Sequence, residues 1–191
     1  TPTDVKSTGV TMHLPVGNGS LDIVYSLKPN AYILDMDVKA TGLEGFFPSK
    51  TKEMQIEWTE NMKQQEKGYD FENRYSTVTY RDVDGDTHEL SVSGGDEEED
   101  EFEEKIKWIT YKTQFFSQVL IAEQPLSVSN MSSVYLENGS GYLKTYKTSF
   151  AADFDIKGVK PTSFHLYLGP NKFSTLEENE KMLNSSDDLD L

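Results

Sequence analysis

The sequence predicts an all-β protein, an antiparallel sandwich closed by one short C-terminal helix. Three observations carry this. Period-2 alternation dominates the chain, about ten such runs are separated by turn-rich segments, and only one stretch has helical character. The alternation is plain in Tyr32–Lys39, where Tyr32, Leu34, Met36 and Val38 share one face and Asp35, Asp37 and Lys39 the other. It recurs where Met54, Ile56 and Trp58 alternate with Glu53, Gln55, Glu57 and Thr59. Such a pattern sets one face on a core and the other in water.

In chain order the remaining strand-like runs are Val10–Leu14, Leu21–Leu27, Tyr75–Tyr80, His88–Val92, Ile106–Lys112, Phe115–Ala122, Tyr142–Phe154 and Ser163–Leu168. Tyr142–Phe154 exceeds an ordinary strand, so a bend or bulge is expected within it. Asp82-Val83-Asp84-Gly85-Asp86 sits between two runs. A calcium loop needs Gly at its sixth position and Glu at its twelfth; counted from Asp82, Gly85 is fourth and Ser93 twelfth. A hairpin turn fits better, with Gly85 at positive φ, and a Val83–Gly85 loop sets Val78 opposite Leu90.

Gly94-Gly95 opens the acidic run Asp96–Glu104, in which Phe102 is the one non-acidic residue. Dense like charge stays solvated, so this run reads as a mobile hairpin insertion, with a docking tail for a basic partner as the other reading. The helical stretch spans residues 174–184. Ser174 with Glu177, or Thr175 with Glu178, fits a capping box, and Leu176 and Leu183 form a narrow apolar stripe that can lie on the sandwich. Residues 185–191 read as a frayed linker leading away from the domain. The whole chain is expected to be one domain, 1–191.

The chain has 191 residues, a net charge of −15 and 12% aromatic residues. The aromatic content is too high for a disordered acidic chain. The charge excludes a general nucleic-acid binder and argues against electrostatic docking to anionic lipid. There is no cysteine, which removes thiolate catalysis, disulfides and cysteine–zinc sites. No apolar run is long enough to cross a bilayer, so this segment is not expected to be membrane-spanning. His13, His88 and His165 fall in no short metal-ligand pattern, and no nucleophile elbow or phosphate loop occurs. No cofactor, metal or catalytic residue is expected. Four Asn-x-Ser matches, at Asn18, Asn130, Asn138 and Asn184, read as turn chemistry.

Aromatics are the more informative group. Trp108, Tyr111, Phe115 and Phe116 crowd into nine residues, and Tyr142, Tyr146, Phe150 and Phe154 recur at even spacing. Strand aromatics usually fill a core; the functional reading is an apolar cleft or patch for an extended polypeptide.

Several segments together resemble one family. Lys107-Trp108-Ile109-Thr110-Tyr111-Lys112-Thr113-Gln114-Phe115-Phe116, running on to Leu120-Ile121, is similar to a stretch of the YidC-type membrane protein insertases. Tyr167-Leu168-Gly169-Pro170 resembles their Tyr-x-Gly-Pro segment. Gln65-Glu66-Lys67-Gly68, Phe71-Glu72-Asn73 and Gly139-Ser140-Gly141-Tyr142-Leu143-Lys144 resemble the version found in Bacteroides-type bacteria. The resemblance covers roughly residues 20 to 183. It implies the large periplasmic domain of a multi-pass inner-membrane protein, folded as a galactose-mutarotase-like β-super-sandwich and shortened at its N-terminus.

The resemblance also implies a non-catalytic interaction and scaffold module that assists insertion and folding of inner-membrane proteins. Its implied partners are nascent membrane proteins and subunits of the Sec translocon. Trp108, Tyr111, Phe115, Phe116, Leu176 and Leu183 are the candidate interaction or coupling residues, with the C-terminal helix linking domain movement to the membrane core. The alternative is a carbohydrate-binding or mutarotase-like protein on the same sandwich. That alternative needs a general acid and base converging in a cleft, or an exposed aromatic platform.

Overall fold

A computed structural model describes all residues except 1–7, 91–95, 100, 184–188 and 190. The described elements are eleven strands and two short helices: β1 Thr8–Val16, β2 Gly19–Leu27, β3 Ile33–Thr41, β4 Glu53–Lys63, α1 Tyr69–Arg74, β5 Thr77–Asp82, β6 Thr87–Glu89, β7 Glu97–Glu99, β8 Ile106–Lys112, β9 Phe116–Tyr135, β10 Tyr142–Asp153, β11 Thr162–Pro170 and α2 Phe173–Glu180. All the strand pairs are antiparallel. The all-β sandwich with a short C-terminal helix is therefore the observed fold.

One sheet runs β1-β2-β3-β11-β9-β8-β5-β6, and a second is formed by β4, β10, β7 and the far half of β9. The twenty-residue strand β9 joins them. Its first half pairs with β11 up to Ala122, and its second half pairs with β10 from Ser127. Pro125 falls in the gap, where the missing N–H costs little as the strand passes between sheets. The sequence pattern located Phe115–Ala122 but not the continuation to Tyr135. Asn130 lies in that continuation, so its reading as a turn is corrected; Asn18 and Asn138 are in turns, and Asn184 lies outside the described residues.

The expected irregularity in β10 is present. Tyr142 pairs with Lys63 of β4 and Lys144 with Met62, which leaves Leu143 as the extra residue; a second bulge lies on β9, where Ser129 falls between the partners of Ser149 and Phe150. The hairpin at Asp82–Asp86 also forms as expected. Leu90 N–H donates to Val78 O at 3.0 Å, both side chains are buried, and Gly85 has φ +95°.

Between the sheets lies the main core. It includes Val78, Ile109, Tyr111, Leu120 and Phe164 of the first sheet and Met131, Leu143, Tyr146 and Phe150 of the second. Met54, Ile56 and Trp58 of β4 pack against it, as their alternation predicts. A second core covers the opposite face of the first sheet, where Ile33, Trp108, Val119, Ile121 and Tyr167 meet Leu176, Leu183 and Leu189. The middle of this sheet is thus buried on both faces. That is why Trp108, Ile109, Thr110 and Tyr111 are all buried in succession, a run that erases the half-buried signature.

Three expectations need correction. The acidic run is not simply a solvated insertion, because Glu97–Glu99 pair with Met131–Ser133 of β9 and Tyr135 N–H donates to the Asp96 carboxylate. Phe102 anchors the run, its ring edge-on to Tyr80 at 5.5 Å. Neither capping box forms at the C-terminal helix, since the chain turns helical at Phe173 and leaves Ser174 and Thr175 inside the first turn. The tail does not simply fray: Leu189 is buried and Leu191 packs beside it, while 185–188 and 190 lie outside the described residues.

Among the described residues, the buried oxygens of the Asn73 side chain and the Tyr146 hydroxyl lack a hydrogen-bond partner. The Tyr146 hydroxyl is buried without a hydrogen bond, and burial pushes its titration up. An unpaired buried hydroxyl costs roughly 1–3 kcal/mol. Tyr146→Phe is therefore expected to hold or raise the melting temperature; a clear fall in a thermal scan would contradict this.

Candidate functional site

The six residues singled out by sequence separate into three environments. Trp108 lies on the outer face of the first sheet, beneath the C-terminal segment, and is 4% exposed. Its indole N–H donates to Leu189 O at 2.9 Å. Leu176 and Leu183 pack into the same cluster, but α2 ends at Glu180 rather than at 184, so Leu176 reaches the sheet from the helix and Leu183 from the turn that follows it. Asn179 of α2 fixes the helix laterally: its side-chain oxygen accepts from Tyr32 N–H at 2.7 Å, and its amide donates to Thr175 O. Lys28 reaches the Met182 carbonyl just past the helix.

Tyr111 points the other way, into the main core. Its ring stacks on Trp58 of the opposite sheet with centroids 3.9 Å apart and planes 19° apart. Its hydroxyl donates to Trp58 O at 3.0 Å and shares a hydrogen bond with Thr148 at 2.8 Å. Burial pushes its titration up, so it is a neutral structural tyrosine. Tyr167, also buried, is pushed up to about 12 and donates to Pro170 O, which shapes the turn into α2.

Phe115 and Phe116 belong to neither core. They occupy the tight β8–β9 turn, held by Thr113 N–H to Phe116 O, and both rings are about half exposed. Of the four clustered aromatics, two are core residues on opposite faces and two are surface.

Sequence reasoning missed α1. Glu72 organises it: the buried carboxylate accepts N–H bonds from Gln65 and Glu66, which closes the preceding loop at Gly68. Ser76 follows the helix, and its carbonyl accepts from the buried Lys144 ammonium at 2.6 Å. Tyr69 hydroxyl donates to Leu136 O. A six-residue helix organised by the buried polar Glu72 leaves no apolar periodicity to read, which is why the signal was absent.

All three histidines pair with aspartates across or along strands: His13 with Asp22, His88 with Asp82 at 2.8 Å, and His165 with Asp35 at 2.7 Å. Among the described residues no group of three or more His, Asp or Glu is placed to hold a metal. Asp82 is committed to its turn, accepting from Gly85 N–H and Asp86 N–H at 2.9 Å besides His88. Burial pushes its carboxyl up, but the His88 hydrogen bond and the two N–H groups outweigh this and hold it below the ordinary range. A lowered folded pKa gives stability that is present above the unfolded value and lost as pH falls through the folded one. Melting temperature is therefore expected to fall below about pH 4, and Asp82→Asn to flatten part of that fall. An unchanged acid limb in the variant would exclude Asp82 as a contributor.

At the far end of the sandwich a cleft of ≈ 500 Å³ is lined by Lys52, Glu123, Asp153, Asp155, Lys157 and Lys160 among others. Asp155 accepts from the N–H groups of Lys157, Val159 and Lys160, so it shapes the β10–β11 loop. Phe154 and Phe164 also line the cleft but are buried, so neither offers a stacking platform.

These features describe an antiparallel β-sandwich with a docked C-terminal helix and an aromatic turn region beside it, and among the described residues no helix is long and apolar enough to cross a membrane. The YidC periplasmic domain model matches residues 2–190, and the chain belongs to that family. Curated relatives bear the name membrane protein insertase YidC. The one from Phocaeicola vulgatus is 37% identical over 191 residues, all of this chain and 30% of the relative. The Bacteroides fragilis protein is 38% identical over 175 residues, 91% of this chain and 28% of the relative. The Parabacteroides distasonis protein is 37% identical over 183 residues, 95% of this chain and 28% of the relative. The chain thus spans under a third of the length of these relatives.

Proposed function

We propose that this chain is a non-catalytic interaction and scaffold domain on the periplasmic face of a membrane protein insertase. The observation that carries the reading is the docking of α2 and Leu189 onto Trp108, which ties the C-terminal segment to the sheet that presents Phe115 and Phe116. Movement of one is thereby coupled to the other. Family membership supplies the insertase context. The partners proposed are nascent membrane proteins and subunits of the Sec translocon, and the domain itself performs no chemistry.

The test is an insertase-depleted strain carrying the parent protein with Phe115→Ser and Phe116→Ser. Both rings are exposed, so folding is spared. Impaired insertion of membrane proteins at normal parent levels is expected; normal insertion would overturn the reading.

A further inference from the structure

Five neighbouring strands of the first sheet end together. β3 begins at Ile33, paired with Tyr167 near the end of β11; β11 ends at Pro170 opposite Phe116, where β9 begins; β8 ends at Lys112 opposite Thr77, where β5 begins. The segments flanking these ends bring a set of exposed apolar side chains to one end of the molecule: Phe71, Tyr75, Phe115, Phe116, Leu168 and Phe173. The ring of Phe71 on α1 lies 4.9 Å from that of Tyr75, which caps the helix. Phe71 and Phe115 line one shared depression, and Phe116, Leu168 and Tyr32 line the next. Phe173, 75% exposed, opens α2 three residues after Pro170.

We propose that this end rests on a lipid bilayer, with its aromatic rings at the level of the headgroups. The inference rests on the insertase reading above and names the partner of Phe115 and Phe116. Amphipathic and aromatic side chains concentrate where bilayer meets water, and isolated solvent exposure of this many rings is unusual for a soluble surface.

The charge distribution permits it. The whole chain carries −15, yet the ring-bearing segments 28–32, 65–76, 112–118 and 168–174 hold Lys28, Lys67, Arg74, Lys112 and Lys172 against Glu66, Asp70 and Glu72, with Glu89 paired to Lys112 at 4.0 Å. Glu72 is buried and already accepts two N–H groups. Carboxylates further than about 8 Å from the membrane are screened at physiological salt, so most of the net charge is not felt there, and the near charges roughly balance. Glu177 follows Phe173 by about one turn of α2, roughly 6 Å, so the exposed rings rather than a net positive charge hold this end to the bilayer.

Other exposed apolar side chains lie elsewhere: Phe46 and Phe47 in the loop between β3 and β4, and Val10, Met12 and Leu14 on β1, an aliphatic strip on an open edge strand suited to strand pairing. It supplies the control.

The 191-residue chain is floated with vesicles of phosphatidylethanolamine and phosphatidylglycerol. Binding is expected to weaken about tenfold or more in Phe115→Ser with Phe116→Ser. It should weaken about fivefold for each of Lys67→Gln and Lys172→Gln. Val10→Ser with Met12→Ser should bind as the parent chain does. Circular dichroism confirms that each variant is folded. No flotation of the unaltered chain would overturn the proposal. So would flotation indifferent to Phe115 and Phe116, or capture of an extended apolar peptide with no vesicle binding, which would assign this end to a polypeptide. Vesicle binding needs no insertion activity, so its failure leaves the interaction-domain reading to its own assay.

Discussion

Replacing Leu176 and Leu183 together by Asp is expected to release α2 and the docked tail while leaving the sandwich folded. Each leucine is buried on the outer face of the first sheet against Trp108, Val119, Ile121 and Tyr167. Burial of the pair contributes roughly 3–6 kcal/mol. Two unpaired carboxylates in the same place would cost several more, so the helix detaches. The main core lies on the other face of that sheet and shares no residue with this cluster, so it survives. The direct readout is Trp108, whose fluorescence should shift to the red as its cover leaves and its bond to Leu189 breaks. In the parent insertase, complementation of a depleted strain should fail at wild-type protein levels. Unchanged fluorescence would show that the helix stays docked, and normal growth would refute the coupling of α2 to insertion. Loss of the protein would be separated from uncoupling by the fluorescence of the purified chain.

The second large effect is expected at Tyr111. Tyr111→Ala removes a fully buried ring that stacks on Trp58 and touches Tyr146 at 5.1 Å between centroids. Truncating a buried aromatic costs about 3–5 kcal/mol, against a total stability of roughly 5–15 kcal/mol for a domain. Tyr111→Phe keeps the stack and loses only the bonds to Trp58 O and Thr148, a cost of about 1–3 kcal/mol. Urea titration should show the midpoint falling in that order with little change in slope. Equal losses in the two variants would mean that the hydroxyl, not the stack, joins the sheets.

The readout of the first prediction, Trp108, and the target of the second, Tyr111, lie three apart in one strand, and they explain what was readable. Period-2 geometry sends Trp108 and Tyr111 to opposite faces of β8, and that follows from sequence alone. Sequence could not tell that both faces would be covered. Coverage of the outer face depends on Leu176, Leu183 and Leu189, far along the chain, returning to it. The exposure of Phe115 and Phe116 was equally hidden, because an aromatic in a tight turn reads like an aromatic in a strand until the turn is located.

What the amino-acid sequence determined by itself was local. Alternation set the strands and their inward faces, including Met54, Ile56 and Trp58 of β4. The spacing around Gly85 set the register of Val78 against Leu90, and Leu176 and Leu183 marked the C-terminal segment that would dock. These rest on backbone periodicity and on glycine's tolerance of positive φ, which act within a few residues. Tertiary structure alone decided the rest: the passage of β9 from one sheet to the other, the short helix held by Glu72 and Lys144, the pairing of the acidic run with β9, and the return of Leu189 to Trp108. Each depends on a partner far along the chain or on burial of a polar group. Such contacts are favourable only once the surrounding sheet has removed water from both sides.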